Sequence, residues 1–205
     1  MHIACADIGS VSQGNFAWAA SDGAAGTLPS ELAAHVARLL NSRESVALGF
    51  ECPLFVPVPE CEGDLGKGRP GEGSRPWSAG AGAGALATGL VQVAWVLART
   101  RTLITVPASG HLQWDAFSSA SPGSLLVWEA FVSGAAKGSS HIEDARLAVQ
   151  AFKESLPSPA SASAVRVQGP VQSLAGAALL SSDWSSKLAL LNQECIVIRV
   201  GERVA

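Results

Sequence analysis

The apolar and polar positions along the chain separate it into a short series of strands and helices. Residues 2–8 (His2-Ile3-Ala4-Cys5-Ala6-Asp7-Ile8) are mostly apolar around one acid and alternate poorly, which predicts a buried central strand. Gly9 to Asn15 is turn chemistry, and Phe16-Ala17-Trp18-Ala19-Ala20 reads as the returning arm of a hairpin. A short third strand follows the Asp22-Gly23 turn, around residues 26–28. Pro29-Ser30-Glu31 then opens a helix with Leu32, Val36, Leu39 and Leu40 on one face, ending near Asn41-Ser42. Residues 46–51 form a second apolar strand, again closed by an acid. The usual right-handed crossover makes it parallel to the first.

Beyond Glu51 the periodicity fails. Residues 53–78 are rich in proline and glycine and read as a long loop or insertion, a length that in a compact domain usually carries function. A helix of small residues runs on to Leu97, with residues 79–85 reading equally as its start or as flexible linker. Each glycine there costs about 1 kcal/mol against alanine in a helix, so their presence points to close backbone packing. Further on, 103–106 predicts a short strand, 125–131 a stronger one, 141–155 a helix, 157–163 a loop, 170–192 a helical region and 195–200 a last strand. This order predicts an α/β fold, with a mixed sheet that starts as an antiparallel hairpin, a central first strand and helices on both faces. The expected organisation is a single domain over 1–205.

Composition refines this picture. Hydrophobic residues make up 48% of the chain and charged residues only 15%, the difference being filled by alanine, glycine and serine. Fourteen lysines and arginines against 17 acids give a formal charge of −3, which argues against strong non-specific binding to a polyanion. A nuclease with a local basic patch stays compatible with that balance. Cys5, Cys52, Cys61 and Cys195 show no metal-type spacing, and the first residues lack a secretory pattern, so a reduced cytoplasmic protein is expected. Residues 79–98 are interrupted by Thr88 and Gln92 and are not read as a membrane span. Six tryptophans and many small residues would suit a protein interface, including one between copies of the chain.

The candidate chemistry lies in three acids. Asp7 and Glu51 each end an apolar strand, and Asp144 sits early in the 141–155 helix. Taken singly, each is equally an ordinary exposed acid. Carboxyl ends of neighbouring parallel strands share one sheet edge, however, and ligands bind there. Two strand-end acids and one helix acid can therefore converge on Mg²⁺ or Mn²⁺, with Asp7 bridging two cations and Glu51 and Asp144 each completing one coordination sphere. His141 precedes Asp144 by three residues and shares its helix face, where it would orient water or assist a leaving group, or else point to solvent. Glu129, in mid-strand, is a fourth ligand, a partner of the ligands, or a solvent-facing residue on an edge strand. Ser10, Arg69, Arg75 and Lys67 are candidate phosphate contacts, the last three equally a solvated charged loop. Trp77 and Trp114 would stack on a base or pack in the core.

Several short motifs carry a family resemblance. They are Asp7-Ile8-Gly9-Ser10 with its hairpin return, Glu51-x-Pro53-Leu54, an arginine behind it (Arg69 or Arg75), and His141-x-x-Asp144-Ala145. On these residues the chain resembles the family of predicted ribonuclease H-like nucleases found mainly in bacteria. The resemblance implies a ribonuclease H-like fold and metal-dependent hydrolysis of nucleic acid phosphodiesters. Asp is common in that family where this chain has Glu51, and the loop here is unusually rich in glycine. Asp7-Ile8-Gly9-Ser10 is also similar to the phosphate-contacting hairpin of actin-like and sugar-kinase proteins, which need two copies of the fold. A further alternative is a scaffold or binding protein that keeps the fold without its chemistry.

Overall fold

The structure, a computed structural model, describes residues 1–73, 75–132 and 134–201. In chain order the elements are β1 (His2–Asp7), β2 (Ala17–Ala20), β3 (Ala25–Gly26), α1 (Pro29–Asn41), β4 (Val46–Phe50), β5 (Phe55–Pro57), α2 (Gly80–Leu103), β6 (Gly110–His111), α3 (Trp114–Ser118), β7 (Leu125–Phe131), α4 (His141–Glu154), β8 (Val171–Ser173), α5 (Leu174–Ser181) and β9 (Val197–Arg199). The main sheet has the order β3-β2-β1-β4-β7, with β6 and β9 both on the outer side of β7. β1 pairs antiparallel with β2 (Asp7 opposite Ala17) and parallel with β4 (Ala6 opposite Phe50), and β4 pairs parallel with β7 (Phe50 opposite Glu129). The expected mixed α/β sheet, central first strand and hairpin start are therefore present.

Alternation along the strands splits the core in two. Ala4, Ala6, Leu48, Phe50, Leu125 and Val127 pack with Leu32, Val36 and Leu40 of α1, Val93, Val96 and Leu97 of α2, and Ala175 and Leu179 of α5. Ile3, Cys5, Ala47, Leu126, Trp128 and Ala130 face the other way, onto Ala148, Val149 and Phe152 of α4. Helices thus cover both faces. Gly49 lies beneath Trp128 on the α4 side, and a Cβ there would stand 2.4 Å from the indole. On α2, Gly89 fits against Cys52 Sγ, where a Cβ would be 2.5 Å away, so close packing explains that glycine.

Three expectations are corrected. The strand read over 103–106 is instead the end of α2 and an irregular stretch; the strand on that side is β6, because Gly110 and His111 are the residues that reach Leu125 and Leu126. The helical region over 170–192 is broken into β8, α5 and a 3-10 turn at Leu188–Asn192, with the Ser173 side chain capping α5 at Gly176 N. The segment 53–78 is also not plain loop, since β5 within it pairs antiparallel with β8 in a second small sheet. The 79–85 ambiguity is settled as helix from Gly80 onward. By length and composition α2 is apolar enough to cross a membrane; in this fold it lies against α1 and α5, leaving Leu90, Val91 and Trp95 exposed.

Candidate metal centre

Parity places the first two acids. Asp7 and Glu51 have the alternation of Ile3, Cys5 and Ala47, so both point to the α4 side at the carboxyl edge of the parallel strands. Ser140 caps α4 by accepting from Glu143 N, which fixes His141 and Asp144 in the first turn, one above the other. The result is a convergence of Asp7, His141 and Asp144, each offering one ligand atom, with those atoms all within 4.8 Å of one another. His141 Nδ1 is 2.5 Å from Asp7 Oδ2, and Asp144 Oδ1 accepts from Gly138 N at 2.5 Å. Asp7 and Asp144 are buried, while His141 is half-buried.

Glu51 stands beside this trio. Its Oε1 is 3.5 Å from Lys137 Nζ, and the same ammonium is 3.5 Å from Asp144 Oδ2. Its Oε2 is buried and meets no N–H or hydroxyl donor among the described residues. Burial, then the neighbouring Asp7 charge, pushes the Glu51 carboxyl up to about 9 despite Lys137. Burial also raises Asp7, against the hydrogen bond from His141. At Lys137 burial acts downward, but Glu51, Asp144 and Asp7 outweigh it and hold the ammonium above its ordinary range. An acid with a buried oxygen that no such donor reaches, beside two more carboxylates, is an environment that a cation would relieve.

Asp7, Glu51, Lys137 and His141, though not Asp144, line a cavity of about 280 Å³, with Arg75 on its wall, apolar Ala85, Phe131 and Val132, and the start of α2 opposite. Arg75 is the loop arginine that the structure brings to the site. Arg69 is not: its side chain is fully buried, donating to Glu72 Oε1 at 2.8 Å, to both Glu129 oxygens at 2.6 and 2.9 Å, and to Phe55 O at 3.0 Å. Burial would lower that guanidinium, but the two carboxylates hold it above its usual value, so it is a structural cation already committed through four hydrogen bonds to Glu72, Glu129 and Phe55 and outside the lining of the cavity. The reading of Glu129 as an edge residue facing solvent is likewise overturned. β7 is flanked on both sides, and Glu129 has the parity of Val127, away from α4, where it takes Arg69 and Leu54 N instead of joining the trio.

Of the remaining candidates, Ser10 sits on the turn after β1 against Ser12 and does not line the cavity. Lys67 pairs with Asp64 at the surface. Trp77 donates to Lys67 O, and Trp114 packs on Phe117 and Phe152 away from the cavity, as a core contact. Reasoning from sequence missed Lys137 and Glu72, and it gave His141 a secondary role where the structure places it among the three converging groups that could hold a metal. The available signal for Lys137 was a cation in a short Gly- and Ser-rich stretch just before the helix that carries Asp144. Comparison with models of known families, with curated proteins and with solved structures finds no match. The geometry therefore has to carry the functional reading.

Proposed function

We propose that this protein is a metal-dependent hydrolase of nucleic acid phosphodiesters, of the ribonuclease H-like kind that its motifs resemble. The observation that carries the proposal is the convergence of Asp7, His141 and Asp144 at the carboxyl edge of parallel strands, with Asp7 and His141 lining a cavity there. The donor set fits a divalent cation. Two carboxylates and one imidazole suit Mn²⁺ somewhat better than Mg²⁺, because imidazole is a softer ligand than water or carboxylate. Such a cation would supply a bound hydroxide and charge stabilisation at the phosphoryl oxygens.

The chain's own residues do the rest. Asp7 and Asp144 hold the negative charge that retains the cation, and the Ser140 cap keeps His141 and Asp144 in register with Asp7. Arg75 offers a bidentate donor to a phosphate entering the cavity. The apolar wall of Phe131 and Val132 limits water around the scissile group. The test is Mn²⁺ titration by calorimetry, followed by cleavage assays on single-stranded, duplex, hybrid and branched nucleic acids with Mn²⁺ or Mg²⁺. Asp7→Asn should keep the melting temperature within a few degrees while weakening Mn²⁺ binding at least a hundredfold and abolishing cleavage. Cleavage that survives Asp7→Asn overturns this assignment.

The exposed apolar side of α2, with Leu90, Val91 and Trp95, favours a second reading as an assembly or binding protein. That reading gains ground if no nucleic acid is cleaved and Mn²⁺ does not bind.

A further inference from the structure

We propose that Lys137 is a built-in cation that takes the place of a second metal, so that this site holds one divalent ion per chain. The inference rests on the cation site proposed above and goes beyond it by fixing the number of metals. Phosphoryl-transfer sites with two metals place them about 3.5–4 Å apart, each held by carboxylates of a shared cluster. Here the trio of Asp7, His141 and Asp144 can serve one such ion. A second ion would need Glu51 beside the shared acids Asp7 and Asp144, and Lys137 Nζ stands 3.5 Å from both Glu51 Oε1 and Asp144 Oδ2. A second cation between Glu51 and Asp144 would have to displace the ammonium or face its charge within a few ångströms.

Charge counting points the same way. The cluster carries at most three negative charges, on Asp7, Glu51 and Asp144. One divalent ion and Lys137 already match that maximum, whereas two divalent ions and Lys137 exceed it by two positive charges. The ammonium is also held where a fixed charge serves a reaction. It comes from the short connection Gly134–Ser140, whose Gly138 N is tied to Asp144 Oδ1, and it lines the same cavity as Arg75. A phosphate oxygen entering that cavity would meet Lys137 as well, and the lysine would stabilise its charge without donating a proton.

The experiment counts ions. Mn²⁺ calorimetry and electron paramagnetic resonance are run on the full-length chain, and on Lys137→Met, Lys137→Arg and Glu51→Gln, each first checked by thermal melting. Wild type is expected to bind one Mn²⁺, with no spin-coupled pair when two equivalents are supplied. Lys137→Met, which keeps length and loses charge, should take up a second Mn²⁺ and show a coupled signal. Lys137→Arg should return to one. Glu51→Gln should still bind one Mn²⁺ with less than a tenfold loss, because Glu51 serves the lysine and not the metal. A coupled pair in wild type, or a Lys137→Met protein that still stops at one ion, overturns the proposal. Absence of any Mn²⁺ in wild type overturns the metal reading as a whole and is distinguishable from both.

Discussion

Single side chains in this protein are governed by what burial demands of a charge. His35 on α1 shows this away from the cavity. Its ring lies 5.2 Å from that of Trp18, with Asp22 Oδ2 3.4 Å from Nε2 and Arg38 Nη2 3.2 Å from Nδ1. Burial lowers its pKa, Asp22 pulls upward, and Arg38 and His2 add to the lowering. A base whose folded value lies below its unfolded one binds fewer protons when native, so stability is full above the unfolded value near 6.5 and is lost as pH falls through it. The loss is at most about 1.4 kcal/mol per pH unit from one group. Urea midpoints of wild type and His35→Gln between pH 5 and 8 should converge toward the acid end; parallel curves would mean that His35 titrates normally. The same principle explains which acids were legible from sequence. Asp7 and Glu51 could be placed because an acid that ends a buried strand has a known edge to project from, and Asp144 because its helix follows a capping serine. Lys137 could not, since nothing in a Gly- and Ser-rich connection fixes the direction of a long side chain.

At the scale of elements, strand parity separates what the sequence made look alike. Glu51 and Glu129 both sit at or near strand ends in apolar runs, yet one faces α4 and the other faces Arg69. Parity could have been read from the 46–51 and 125–131 patterns, but only once their register was known, and register depends on the partner strand. The long regular elements were legible because apolar periodicity is strong over a dozen residues; β5, β6 and β8 were not, because two or three residues carry no period. The Arg69 clasp gives a sharp expectation. Removing one partner of a buried ion network leaves uncompensated charge, so Arg69→Ala should cost roughly 3–5 kcal/mol in urea unfolding through the stranded Glu72 and Glu129. A loss below about 1 kcal/mol would mean that water reaches the clasp. Gly49→Ala, placing a methyl against the Trp128 indole, should cost about 1–3 kcal/mol and perturb tryptophan fluorescence.

For the whole molecule, the charge balance limits how nucleic acid is held. With a formal charge of −3 and Arg75 and Lys137 as the lysine and arginine side chains lining the cavity, few phosphates are neutralised. Affinity for a single strand should accordingly fall with salt on a log–log slope of about −1.4, from roughly −0.7 for each of two phosphates. A slope of about −4 or steeper, measured by fluorescence anisotropy, would require a basic surface elsewhere. The clasp has a last consequence in the time domain. Glu129 belongs to β7, an interior strand of the main sheet, and Arg69 and Glu72 belong to the proline- and glycine-rich segment, so that segment cannot open without breaking a buried ion pair to the sheet. Its amides around Arg69 and Glu72 should then exchange with solvent on the schedule of global unfolding, and a stretch composed like a linker would belong to the slowest cooperative unit of the protein.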